Sequence, residues 1–399
     1  MKRVIPSTVF CAEWIFFIIA GSVLFYHEFT GFKGLIYILV CCFLFAFGER
    51  IGSNTSLISI KQFKSSQHSI NLESAELLFF VGIIVEIILF IYTIRIRKYS
   101  FGSIASILAV SSMTRGREIE GGWFVKAGNV FVLSIMGIEG YMTAYSKCAC
   151  IKRRSKFIYL FSGIALIGVF TTGKSMAIWA VLIWSSGWLT AANAYSFDYS
   201  LVWNYMKKNI KKIIFLGVLF LLLMGFMMYM RRQREVGKIV ESLLIYAFGH
   251  IPVFSDWYYK IDNSELQYSI GRQMLYGLFS RTPWNEGLSE NFSLLLECKV
   301  QSNIFTVFRS IIEDFGKMGG FLFWSVLGIF TGKCQKRIEM YKNSYWAIAF
   351  VMSTYFFIFM SFIISAWHYY ATLCAFLLIW LELIFVEKFH WKLKKKNEG

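Results

Sequence analysis

The sequence predicts an all-α, polytopic integral membrane protein with about eleven (10–12) transmembrane helices and one large structured loop on the outer side. Three observations predict it. Hydrophobic residues make up 57% of the 399-residue chain and gather in long blocks with basic residues at the gaps. Charged residues are only 16%, where a soluble domain carries roughly 25%. Mean hydropathy is +0.55. A helix needs roughly 20 mostly apolar residues to cross the hydrocarbon. Backbone in lipid must satisfy its own hydrogen bonds, so such blocks become helices.

Taken in order, spans are expected near 9–26, 34–48, 77–94, 100–114, 125–145, 157–173, 176–194, 213–230, 316–332, 346–366 and 370–386. The first is read as an anchor rather than a cleaved signal, because it runs into His27 and Glu28 with no small-residue cleavage site. The second and fourth are short. Residues 1–230 then hold the first eight spans, 231–303 the large loop, 304–387 the last three, and 388–399 a basic tail.

The net charge of +17 does not imply nucleic acid in a chain of this kind. Lys and Arg collect in cytoplasmic loops and meet anionic headgroups of the lipid bilayer. Four clusters set the orientation: Lys152, Arg153, Arg154 and Lys156; Lys207, Lys208, Lys211 and Lys212; Lys333, Lys336, Arg337 and Lys342; and Lys392, Lys394, Lys395 and Lys396. Alternating spans put all four on one side, joined by Arg95, Arg97 and Lys98. The same alternation leaves Lys2 and Arg3 outside, against the charge rule. Eight cysteines occur without a C-x-x-C pair, so neither a zinc site nor a disulfide framework is expected.

The loop 231–303 is not linker. It carries Tyr246, Phe248, Phe254, Trp257, Tyr258, Tyr276 and Trp284, and 239–248 is apolar at near-helical spacing. Long structured loops are where function concentrates. Gly168 to Ser175 matches the phosphate-loop pattern letter for letter. It interrupts two spans and faces away from the cytoplasm, so a nucleotide site is rejected. The turn still offers backbone amides and Lys174 to an anion.

Arg231 and Arg234 open the large loop, and Arg115, Arg117, Arg272 and Arg281 share its side. Outward arginines run against the charge rule. Guanidinium groups bind phosphate bidentately and keep their charge, so this set suits a lipid pyrophosphate at the membrane surface. Asn303, Thr306, Arg309 and Glu313 follow a three-to-four spacing and share one helix face, ahead of Asp314, Gly316, Gly319 and Gly320.

This last stretch, the large late loop and the Thr171–Ser175 turn resemble the O-antigen polymerases and related oligosaccharide repeat-unit polymerases. The layout matches over the whole chain and the residues over about a tenth of it. The resemblance implies a glycosyltransferase of the bacterial inner (cytoplasmic) membrane that works on the periplasmic face. Its substrates would be oligosaccharides on undecaprenyl pyrophosphate. It would use no nucleotide sugar, no cofactor and no metal, and its usual partner would be a chain-length regulator protein. An O-antigen ligase and a lipid-linked oligosaccharide flippase are the alternatives.

A transfer of this type must stabilise the leaving pyrophosphate and take a proton from a sugar hydroxyl. Arg309 is the expected catalytic cation, with Arg231, Arg234, Lys174, Arg115, Arg117, Arg272 and Asn303 binding substrate. Trp257 and Tyr258 are expected against sugar faces. Expected bases are His250 and Asp314, with Asp256, Glu297 and His368 as further choices. Glu139, an acid inside a span between Gly137 and Gly140, joins the catalytic set because burial of a charge is costly.

Overall fold

The structure, a computed structural model, describes residues 5–29, 31–54, 72–97, 123–171, 175–195, 236–261, 268–280, 282–285, 300 and 306–388, with isolated positions between 207 and 225. Every regular element among them is helical. They are α1 (Pro6–Leu24), α2 (Lys33–Asn54), α3 (Leu72–Arg97), α4 (Trp123–Cys148), α5 (Phe157–Thr171), α6 (Ser175–Ala194), α7 (Val236–Phe248), α8 (His250–Lys260), α9 (Val307–Met340), α10 (Tyr345–Met360) and α11 (Tyr370–Lys388). Five of them, α1, α2, α3, α6 and α11, are long and apolar enough to cross a membrane. The pair α7 and α8, bent by 57° at Gly249, makes a sixth if it is one span. Eleven crossings are therefore more than the described helices give by length and composition. The expected span 100–114 lies outside the described residues, as does all of 213–230 but Val218 and Gly225.

The bundle is organised on two close helix crossings. In the first, α2 and α9 interlock through glycines spaced by four. A Cβ at Gly48 or Gly52 would run into the backbone of Ser325 or Ile329, and one at Gly328 or Gly332 into that of Phe45 or Glu49. Small residues at this spacing let helix backbones meet inside a membrane. The two helices run parallel. The Tyr37 hydroxyl donates to the Lys317 carbonyl at 3.1 Å near their starts, and Gln335 Nε2 donates to Glu49 Oε1 at 2.6 Å near their ends. Phe10 of α1 seals the crossing by stacking on Trp324 at 4.5 Å.

In the second crossing a Cβ at Gly140 of α4 would meet the Trp184 carbonyl, and one at Gly187 of α6 the Gly137 carbonyl. Residues 132–144 of α4 are all buried. A helix buried on every side belongs at the centre of a bundle.

The helix ends define two faces. On the basic face, Arg153 Nε donates to Glu76 at the start of α3 at 3.0 Å, Ser7 N–H at the start of α1 donates to Glu49 at 3.0 Å, and Lys342 Nζ caps the last carbonyl of α6, that of Ala194. On the opposite, aromatic face, Ser255 Oγ of α8 donates to the Gly31 carbonyl and Tyr258 packs on Tyr37 at 5.3 Å.

These contacts correct the expected direction of the early helices. Because Glu76 meets Arg153, α3 starts on the basic face and carries Arg95 to the other one, where Tyr92 packs on Phe124 at 5.7 Å. α1 likewise starts on the basic face, beside Glu49. The expectation for Lys2 and Arg3 lies outside the described residues.

Candidate functional site

The aromatic face brings four segments together: α8, the turn 268–276, the first turns of α9, and 365–370. The sequence builds this locally. Thr306 is the extended N-cap of α9, and Val307 N–H donates to the Ser361 carbonyl at 2.8 Å. The helix then breaks at Gly316, whose φ of 74° and ψ of 175° suit only glycine. Tyr268 lies over that glycine.

Asp314 ties the turn 268–276 to α9. Its Oδ1 accepts Ser269 Oγ and the Gln273 N–H at 2.9 Å, and its Oδ2 accepts the Met274 N–H at 2.8 Å. Ile270 and Gly271 take left-handed conformations, φ 51° and 82°, which curl the turn around the carboxylate. Burial pushes this carboxyl above the ordinary aspartate range, against the pull of those hydrogen bonds. A carboxylate with both oxygens spent on the backbone of a turn is a poor base for a substrate hydroxyl.

Arg309 lies in the first turn of α9. Its guanidinium sits over the Trp257 ring at 5.3 Å, and its Nε donates to Glu313 Oε1 at 2.7 Å. The two side chains stay 12% and 19% exposed. Lys317, just past the Gly316 break, places its ammonium 4.7 Å from the Tyr258 ring centre. Arg272 donates to the carbonyls of Ser269 at 3.0 Å and Trp284 at 2.8 Å. Tyr276 stacks flat on His368 at 4.8 Å and 6°, and Gly277 abuts the His368 carbonyl.

Five expected site residues, Arg309, Asp314, Arg272, Trp257 and Tyr258, therefore meet on one face. Two others stand apart. His250 is fully buried, walled by Phe17 at 4.9 Å, Phe362 at 5.5 Å and Trp14 at 5.9 Å. Among the described residues neither of its ring nitrogens has a hydrogen-bond partner. That wall separates it from any sugar hydroxyl at the surface. Glu139 lies toward the basic face, where it accepts Arg153 Nη2 at 2.5 Å, Ser155 Oγ at 2.8 Å and the Lys156 N–H at 2.7 Å. It is an internal staple there, far along α4 from the cluster around Arg309. Arg231, Arg234, Lys174, Arg115, Arg117 and Asn303 lie outside the described residues.

Sequence reasoning missed Lys317 as a site residue and Glu313 as the partner of Arg309. The four-residue step from Arg309 to Glu313 was the available signal. Nothing local announces Lys317, because its contacts come from Tyr258 and Tyr37.

Fold and face together define a class: an all-helical protein with several apolar helices able to cross a membrane and a cation–aromatic cluster at one end of the bundle. Comparison with known proteins adds no relative: no family model, no curated protein and no solved structure matches the chain.

Proposed function

We propose that the chain is a membrane glycosyltransferase that polymerises undecaprenyl-pyrophosphate-linked repeat units into O-antigen or a related surface polysaccharide. The observation that carries this reading is the Arg309 guanidinium, held between the Trp257 ring and Glu313 at the start of α9. A cation fixed in a sparsely hydrated site stabilises charge that builds on a leaving pyrophosphate. The neighbouring rings of Trp257 and Tyr258 suit the apolar faces of sugars.

In the proposed reaction the acceptor's hydroxyl oxygen bonds to the anomeric carbon of the donor glycan. The bond from that carbon to the pyrophosphate breaks, and undecaprenyl pyrophosphate leaves with the electron pair. Glu313 is the carboxylate placed to receive the hydroxyl proton, since Asp314 is occupied and His250 enclosed. With the basic face in the cytoplasm, as the charge rule directs, the aromatic face opens to the periplasm.

The test is a gel of surface polysaccharide from the native host with this gene deleted. Glycan stopping at a single repeat unit is the expected result. Loss of all repeat units with polymer accumulating on the lipid carrier identifies a ligase instead, and an unchanged ladder removes the reading.

A further inference from the structure

Charge accounting on the aromatic face separates its cations. Arg309 is matched by Glu313 at 2.7 Å, and Lys260 by Asp256 at 3.0 Å. Lys317 has no carboxylate within ion-pair reach among the described residues. Its ammonium lies over the Tyr258 ring at 4.7 Å, and its one hydrogen bond among the described residues, to the Ile261 carbonyl, is long at 3.5 Å. An ammonium has three donors, so two remain for a ligand.

The position is built rather than incidental. The Tyr37 hydroxyl holds the Lys317 carbonyl at 3.1 Å, and Tyr37 and Tyr258 pack at 5.3 Å beside it. A Cβ at Gly320, one turn on, would run into the Tyr37 hydroxyl. The lysine backbone is thus fixed by α2 while its head is steered by α8. Tyr37 also lies next to the close crossing of α2 and α9, so the base of this lysine is among the stiffer parts of the bundle.

We propose that Lys317 is the direct ligand of a lipid-borne phosphate anion at the aromatic face, and that Arg309 joins it only by giving up Glu313. The general ligand chemistry is a phosphate ester at membrane depth. That anion is either the pyrophosphate of a polyprenyl carrier or the headgroup of an anionic bilayer lipid. Only the choice of the pyrophosphate rests on the function proposed above. Glu313 then acts as an internal competitor. It keeps Arg309 satisfied when the site is empty and is released when the phosphate anion arrives.

The experiment uses the full chain in nanodiscs of zwitterionic lipid, with farnesyl pyrophosphate as probe. An amine-reactive label is read by peptide mass spectrometry at Lys317 and, as a control, at Lys260. Protection of Lys317 with Lys260 unchanged is the expected result in the unmodified protein, which avoids any question of variant folding. No protection of Lys317 overturns the site. In binding titrations Lys317→Gln should weaken the probe about tenfold or more, as expected for loss of a hydrogen bond to a charged group. Lys317→Arg should retain binding, and Glu313→Gln should tighten it. Equal binding by Lys317→Gln and wild type also overturns the proposal. Nanodiscs doped with phosphatidylglycerol separate the two sources, since competition there as strong as by the probe overturns the pyrophosphate assignment. Turnover is not needed for any of these readings. Protection of Lys317 alongside an unchanged polysaccharide ladder therefore sinks the polymerase reading and keeps the anion site, while absent protection sinks the site alone.

Discussion

Arg153 and Glu139 form an ion pair at 2.5 Å in which the carboxylate is fully buried and the guanidinium 6% exposed. Arg153 also reaches Glu76 and lies over the Phe79 ring at 4.8 Å. One arginine thereby joins α3 and α4 to the turn that opens α5. Removing one partner of a buried pair leaves the other charge stranded, at a cost of about 3–5 kcal/mol. Glu139→Ala should therefore lower the unfolding temperature of the detergent-solubilised protein strongly. Glu76 is 40% exposed, so Glu76→Ala should cost about 1 kcal/mol or less. Equal losses from both substitutions would show that the pair is not a staple.

The glycine crossing of α2 and α9 leads to a second prediction. Gly328→Ala puts a methyl group against the Phe45 carbonyl and the Glu49 N–H. The helices must part, and overpacking of this kind costs about 1–3 kcal/mol. Gly237→Ala, in α7, meets nothing within 4 Å. It should be neutral or stabilise by about 0.5–1 kcal/mol through helix propensity. Thermal unfolding of the two variants side by side checks this. A stable Gly328→Ala would mean that the backbones do not touch there.

Arg309 gives a third prediction, on activity. Arg309→Ala should abolish polymer on a surface-polysaccharide gel while the protein stays in the membrane. Arg309→Lys keeps the charge but not the planar fork that lies over Trp257 and reaches Glu313, so it should restore only part of the activity. Full polymer from Arg309→Ala would remove this residue from the reaction.

How much of this was legible in the sequence depends on the range of the forces involved. Apolar blocks located α4, α6 and α11 to within a few residues: 125–145 against Trp123–Cys148, 176–194 against Ser175–Ala194, and 370–386 against Tyr370–Lys388. The apolar run 239–248 lies within α7. The block 346–366 was too long, because hydropathy does not register the turn at Ser361–Ser365 after α10. The apolar block 316–332 left out the first turns of α9, where Arg309, Glu313 and Asp314 interrupt the apolar run. In the site, the spacing of Arg309 and Glu313 on one face was readable, as was the aromatic content of α8. The Asp314 turn was not readable, since its donors lie 40 or more residues away in sequence. The same holds for Tyr258 over Lys317 and for the Arg153–Glu139 pair, which drew an apparent catalytic acid into a structural role.

The direction of the early helices carries the last prediction. Charge counting alone grouped Arg95, Arg97 and Lys98 with the cytoplasmic clusters and placed the chain start outside. Two contacts reverse the direction of the described parts, α1 and α3 with Arg95. Glu76 at the start of α3 bonds Arg153, and Ser7 at the start of α1 bonds Glu49, whose other oxygen accepts Gln335 near the end of α9. The first two turns of α1, the turn 149–156 and the turn 341–344 therefore share a face, and Ile261 lies on the other. A fluorescent reporter active only in the cytoplasm should give signal when fused before Met1 and none when inserted after Ile261. Alkaline phosphatase, active only outside, should do the reverse. Signal of one kind at both positions would put them on the same side of the membrane and overturn the two-face assignment. The opposite pattern would put the basic face outside, and with it the whole assignment of the aromatic face to the periplasm would fall.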